Sequence, residues 1–127
     1  MQTAALEFET SKFDDDTDEA NPGLRGRALA EWLAARLREE GVSAGEVFAE
    51  DFGFCVPITS RPHALFVACG SAGGAPGHWS VFAFAKGGVL ARVLGRDRRA
   101  ESAAEVMATV RRCLEAEPGV RSLREAR

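Results

Sequence analysis

The segment of residues 46–58, EVFAEDFGFCVPI, constrains the fold of this chain most, because its apolar residues recur at every second position. The residues that share the even positions are Phe48, Phe52, Phe54, Val56 and Ile58. Successive side chains of a β-strand point to opposite faces, so this pattern predicts one strand over residues 47–58 with these five on one face. The adjacent carboxylates Glu50 and Asp51 interrupt the apolar stripe and mark a first place to search for a functional site.

Further strands are predicted where short runs of aromatic and β-branched residues occur. These runs cover residues 3–9, 64–69 and 79–85, with a fourth candidate at 89–94. The glycine-rich segment 70–77 is interpreted as a hairpin connection, because a phosphate-binding loop would open a helix and carry a Gly-Lys-Ser/Thr sequence.

The first helix is predicted from Asn21 and Pro22 to about Glu40, with Gly41 as its stop. Apolar residues recur there at three-to-four spacing and form one stripe. A second helix is predicted from Ser102, because Ser102 and Glu105 have the spacing of a capping box. After it, residues 120–123 are expected to form a short edge strand or a tail.

The predicted order of elements is β-α-β-β-β-(β)-α. Consecutive strands with short connections form an antiparallel meander, and the apolar stripes of two helices would cover one of its faces. The expected fold class is therefore α+β, a two-layer sandwich with a mainly antiparallel sheet of about four or five strands. At 127 residues and 46% hydrophobic content, a single domain over residues 1–127 is expected.

The charge balance argues against nucleic acid as a partner. The chain carries 16 basic and 19 acidic residues, a net charge of −3, whereas nucleic-acid binders show a basic stripe. The basic segment 96–99 is interpreted as a solvated turn. No run of about 18 apolar residues is present, so neither a transmembrane helix nor a membrane partner is expected. The three cysteines lie in apolar runs, which indicates buried thiols in a reducing cytoplasm.

No metal or cofactor is predicted. An acidic loop, formed by Asp14, Asp15, Asp16, Asp18 and Glu19, begins like a calcium-binding loop. The EF-hand pattern then requires glycine at its sixth position and glutamate at its twelfth, where this chain has Glu19 and Arg25. The cysteines and histidines also lack the paired spacing of a zinc site.

An enzymatic alternative rests on a thiol. Cys69, or Cys55 in its place, could act as a nucleophile with His78 as base and Asp51 as orienting group. Glu50 and Asp51 could instead act as an acid/base pair, but neighbours on a strand point to opposite faces, so sharing a proton would require a bulge, which Gly53 permits.

Five stretches together resemble a loose class of small bacterial α+β proteins: Asn-Pro-Gly at 21–23, the helix after it, Glu-Asp-Phe-Gly-Phe at 50–54, and the strands HALFVACG and HWSVFAF. The Glu-Asp-aromatic-Gly-aromatic motif is the most specific part. Proteins of this kind resemble the cytoplasmic immunity proteins with which bacteria neutralise the toxins of competitors. The resemblance implies an acidic binding surface and no catalysis.

The leading functional hypothesis is a cytoplasmic, non-catalytic protein-binding module. The acidic loop, with Glu50 and Asp51, would form a recognition surface for a basic protein partner, as in an immunity-type inhibitor, and Phe52 or Trp79 would anchor the contact. A dimeric secretion-type chaperone or adaptor is the second binding hypothesis, so a homodimer remains an open alternative.

Overall fold

The computed structural model describes residues 2–13, 25–59, 64–86 and 89–126. The elements in chain order are β1 (Ala5–Glu9), α1 (Arg27–Glu39), β2 (Phe48–Glu50), β3 (Gly53–Ile58), β4 (Ala64–Ser71), β5 (His78–Lys86), α2 (Val89–Ala116) and β6 (Arg121–Ala126). The strands form one six-stranded antiparallel sheet in the order β2-β3-β4-β5-β1-β6. The α+β sandwich is confirmed, with slightly more strands than expected.

Both helices pack on one side of this sheet, which we call the helix-covered face. Helix α1 contacts β3 and β4, α2 contacts β5, and the two helices contact each other. The sheet contributes fully buried apolar residues to the core between the layers: Phe8, Phe54, Val56, Val67, Val81 and Ala83. Burying each large side chain of this kind stabilises the fold by about 1.5–3 kcal/mol, so most of the hydrophobic stabilisation belongs to this face.

Helix α1 directs Leu29, Leu33 and Leu37 into the core, as its apolar stripe predicts. The predicted stop at Gly41 is confirmed, because Gly41 has a φ of 85° and the next amide, Val42 N–H, donates to the Leu37 carbonyl at 2.9 Å. The helix begins at Arg27, later than predicted. The predicted start at residues 21–22 lies outside the described residues.

The single strand predicted over residues 47–58 is wrong. The chain turns back at Asp51 and Phe52, so that β2 and β3 form a hairpin in which Phe48 pairs with Cys55. Phe48 therefore points to the side opposite Phe54, and the five even-numbered residues do not share a face. The physical reason is that a two-residue turn restarts the alternation of side chains on the returning strand.

The strand predicted at 89–94 and the helix start predicted at Ser102 are also wrong. Residues 89–116 form one helix, and Ser102 lies inside it at 8% exposure. The basic segment 96–99, predicted as a turn, is likewise helical. A short apolar run such as 89–94 fits a buried strand and a buried helix equally well, which explains the error. Of the two alternatives expected for residues 120–123, an edge strand or a tail, the structure shows the edge strand, β6, which pairs with β1.

Candidate interaction face of the sheet

The side of the sheet opposite the helices, which we call the outer face, carries a series of aromatic side chains. On β4, Phe66 alternates with the core residues Leu65 and Val67. On β5, Phe82 and Phe84 alternate with core residues in the same way. Because side chains alternate across a strand, these phenylalanines point away from both helices.

Five rings on this side make a continuous series that we call the phenylalanine layer. Its members are Phe48, Phe52, Phe66, Phe82 and Phe84. The ring centres lie 5.8 Å apart for Phe48 and Phe66, 5.2 Å for Phe66 and Phe84, 6.1 Å for Phe84 and Phe82, and 6.0 Å for Phe82 and Phe52. Such separations are typical of favourable aromatic pairs. Four of the rings are half-buried, whereas Phe52 is 48% exposed.

Small residues below the layer bring the β2–β3 turn close to β4. A methyl group added to Gly70 would lie 2.8 Å from the Phe52 carbonyl oxygen, and one added to Gly53 would lie closer still to the Cys69 carbonyl oxygen. The two glycines therefore permit a backbone approach that a side chain would prevent. This approach holds the turn, and with it Phe52, against the sheet.

Carboxylates border the layer at the β2 edge. Glu50 ends β2 and shares the outer face with Phe48, and Asp51 is exposed in the turn. Among the described residues, neither carboxylate makes a salt bridge. The structure thus brings together three of the predicted site residues, Glu50, Asp51 and Phe52, on one exposed turn.

Two more carboxylates lie across the sheet on β1. Glu7 pairs across the strands with Ser80, and its carboxylate lies 3.3 Å from the Arg124 guanidinium. Glu9 lies 3.7 Å from the His78 imidazole. Neighbouring strands of a sheet are about 4.8 Å apart. Strands β2 and β1 are separated by four such spacings, so the acidic groups on them lie about 19 Å apart. The phenylalanine layer lies beside the line that joins these groups. Carboxylates therefore lie on two sides of the aromatic surface, but those on β1 lie beside the basic side chains of Arg124 and His78.

Trp79 is not part of this surface. It is 1% exposed on the helix-covered face, where its ring packs edge-on against Phe13 at 6.1 Å. The prediction of a half-exposed interface tryptophan is wrong, because Trp79 has the same alternation as the core residues Val81 and Ala83. The acidic loop at 14–19 lies outside the described residues.

The thiol-enzyme hypothesis finds no assembled site. Cys69 is fully buried on the helix-covered face, whereas His78 lies on the outer face beside Glu9. Burial raises the pKa of the Cys69 thiol well above its ordinary value, and the nearby Cys55 raises it further. A thiol that holds its proton is a weak nucleophile. Cys55 is fully buried as well, and the prediction that all three cysteines are buried is confirmed.

Other features of the described chain carry less chemistry. No three His, Cys, Asp or Glu side chains within it are placed to hold a metal ion, and no described helix is suited by length and apolarity to cross a bilayer. A groove of about 440 Å³ lies between α1 and α2. Arg36 pairs there with Glu39 at 2.6 Å and Arg112 with Glu40 at 3.9 Å, and Glu117 pairs with Lys12 at 3.6 Å. The charges in these pairs cancel, so the pairs give the groove no net charge that would attract a ligand.

Comparison with protein-family models, curated proteins and solved structures gives no match. The functional argument therefore rests on the geometry of the outer face. Sequence reasoning identified Phe52 as a site residue but missed the other four members of the phenylalanine layer, Phe48, Phe66, Phe82 and Phe84. In ALFVAC and WSVFAF both sets of alternate positions are largely apolar, so the sequence pattern does not show which set faces the helices.

Proposed function

We propose that this protein is a non-catalytic protein-binding module whose outer face binds a basic protein partner, in the manner of an immunity-type inhibitor. The observation that carries the proposal is the turn in which Phe52, 48% exposed, directly follows two carboxylates. Aromatic residues with a polar or charged border are typical anchors of protein interfaces, because burying the ring on binding supplies most of the affinity. Carboxylates around the anchor attract a basic partner and set its orientation.

The edges of the sheet favour binding through its face. Strand β2 has only three residues, so it offers few backbone groups to an added strand. Strand β6 contains Ser122 at a φ of 57° and pairs with β1 through a shifted register. Short or irregular edges of this kind disfavour strand addition. A partner would therefore contact the phenylalanine layer rather than extend the sheet.

Site-specific photocrosslinking in the native host tests the proposal. A p-benzoylphenylalanine side chain replaces Phe52 on the outer face, and in a control protein it replaces Glu31, an exposed residue of α1. We expect one dominant protein to be crosslinked from position 52 and not from position 31, as identified by mass spectrometry. Combining the position-52 crosslinker with Glu50→Gln and Asp51→Asn should reduce the yield, because the attraction to a basic partner is lost.

Three outcomes contradict the proposal. Equal crosslinking from both positions would mean that Phe52 marks no specific interface. No crosslinked protein from position 52 would argue against a partner on this face. Crosslinking of the chain to itself would favour the dimeric adaptor hypothesis, and sedimentation of the purified protein would then give the stoichiometry.

A further inference from the structure

The chemistry around Phe52 also specifies the group that the partner presents, an inference that rests on the proposed function. We infer that Phe52, Phe82, Glu50 and Asp51 form a site for arginine side chains carried on an exposed segment of the partner protein. The site combines an accessible aromatic surface with two adjacent carboxylates. A guanidinium group has a flat face that stacks on a ring and an edge of N–H donors that bind carboxylate oxygens.

The aromatic half of the site is the pair formed by Phe52 and Phe82. Their centres lie 6.0 Å apart and their planes are inclined by 37°, so the rings are neither stacked face to face nor perpendicular. With 48% of Phe52 exposed, its ring is accessible to a ligand. The face of an aromatic ring carries negative electrostatic potential and attracts cations. A guanidinium is less strongly hydrated than an ammonium group, so it loses less on stacking.

The acidic half of the site supplies hydrogen-bond acceptors. Glu50 lies on the outer face at the end of β2, and Asp51 follows it in the exposed turn. Neither carboxylate has a salt-bridge partner within the described part of the chain. Paired N–H···O bonds between a guanidinium and a carboxylate are stronger and more directional than a single contact from a lysine. These groups therefore favour arginine over lysine.

The chain shows the same contact on its other side. The guanidinium carbon of Arg27 lies 4.8 Å from the centre of the Phe54 ring. Phe54 is fully buried on the helix-covered face, two residues after Phe52 along the same hairpin. An arginine guanidinium over a phenylalanine ring is thus an arrangement that this fold already contains, and Phe52 offers a second ring to an arginine from outside.

The charge around the phenylalanine layer argues against phosphate groups as the ligand. Glu50 and Asp51, next to Phe52, have no salt-bridge partner among the described residues, whereas on the far side of the layer Glu7 lies beside Arg124 and Glu9 beside His78. The two carboxylates next to Phe52 repel the phosphates of nucleic acids and of anionic lipids. An aromatic platform for nucleic-acid bases would instead be bordered by basic residues.

Capped peptides of alternating arginine and leucine test the inference, with lysine/leucine and glutamate/leucine peptides of equal length as comparisons. Fluorescence anisotropy of labelled peptides at low ionic strength gives the affinities. We expect the arginine peptide to bind about fivefold more tightly than the lysine peptide, which corresponds to about 1 kcal/mol. The glutamate peptide should not bind.

Variants assign the effect to the site. Phe52→Leu keeps an apolar side chain without the ring, so it should lower affinity for the arginine peptide about fivefold and leave the lysine peptide within about twofold. The double variant Glu50→Gln, Asp51→Asn should weaken both cationic peptides. Glu31→Gln removes one carboxylate from α1 and should change neither affinity. Circular dichroism and urea midpoints of each variant verify that the fold is retained.

Several results would overturn the inference. These are equal affinity for the arginine and lysine peptides, no effect of Phe52→Leu on their ratio, or no binding of the arginine peptide up to about 1 mM. Binding of a short oligothymidylate in preference to the arginine peptide would identify a nucleic-acid platform instead. If these tests fail while position 52 crosslinks one host protein, the proposed function stands without the arginine site. If they succeed and no host protein is crosslinked, the site chemistry stands and the proposed function fails.

Discussion

The two faces of the sheet use the same strands for different purposes. On the helix-covered face, residues such as Phe54, Val67 and Trp79 are at most 1% exposed and fill the space below the helices. On the outer face, the rings of the phenylalanine layer are only half-buried, and Phe52 reaches 48% exposure beside charged groups. One face therefore holds the fold together, whereas the other can lose a side chain with less effect on stability. Substitutions on the two faces should separate these roles.

The largest effect is expected for Trp79→Ala on the helix-covered face. Removing a fully buried tryptophan leaves a cavity, so the free energy of unfolding should fall by about 3–5 kcal/mol, as measured by urea denaturation. Trp79→Phe is the matched control. Since the Trp79 indole Nε1 is buried without a hydrogen-bond partner among the described residues, this change removes no such bond and should have less than half the effect. A loss below about 1 kcal/mol for Trp79→Ala would mean that Trp79 is not a core residue.

A second effect is expected at the contact between the β2–β3 turn and β4. In Gly70→Ala the added methyl group would lie 2.8 Å from the Phe52 carbonyl oxygen, so the turn must shift, and we expect a loss of about 1–3 kcal/mol. In the control Gly119→Ala, the nearest described atom to the new methyl group would be the Thr10 hydroxyl oxygen at 3.5 Å, an ordinary contact. That variant should stay within about 0.5 kcal/mol of the parent in the same urea assay. Equal losses in both variants would contradict the tight approach.

The buried thiol of Cys69 should make stability depend on alkaline pH. Burial raises the pKa of Cys69 in the folded protein above the ordinary thiol value of 9.0. The contribution of the protonated Cys69 thiol to the free energy of unfolding is fully present below pH 9.0. Above it the unfolded chain loses the proton that the folded chain keeps, so stability should fall with a slope approaching about 1.4 kcal/mol per pH unit. Unfolding of the parent and of Cys69→Ala at several alkaline pH values should show a shallower slope for the variant. Equal slopes would mean that the Cys69 thiol titrates alike in both states.

Local patterns predicted the architecture, because the alternation in residues 64–69 and 79–85 and the helix stop at Gly41 depend on near neighbours along the chain. They did not predict the aromatic surface. On β5 both the residues that face the helices and the residues that face outward are largely apolar. The alternation alone therefore could not show which of the two sets packs against the helices. The hairpin at Asp51 and Phe52 was missed since Gly53 fits a bulge as well as a tight turn. Its conformation depends on a contact with β4, which no local pattern reports.

The smallest effect on stability is expected for Phe52→Ala. Comparing this variant with Phe54→Ala gives the most direct test of the difference between the two faces. The two phenylalanines belong to one hairpin and differ in exposure, 48% against 0%. We expect Phe54→Ala to lower the free energy of unfolding by about 3–5 kcal/mol and Phe52→Ala by less than about 1 kcal/mol. Affinity for the arginine/leucine peptide should fall in Phe52→Ala even though the fold is retained. A large loss of stability in Phe52→Ala would instead place its ring in the structural core, because an anchor held for a partner gains its burial only in the complex.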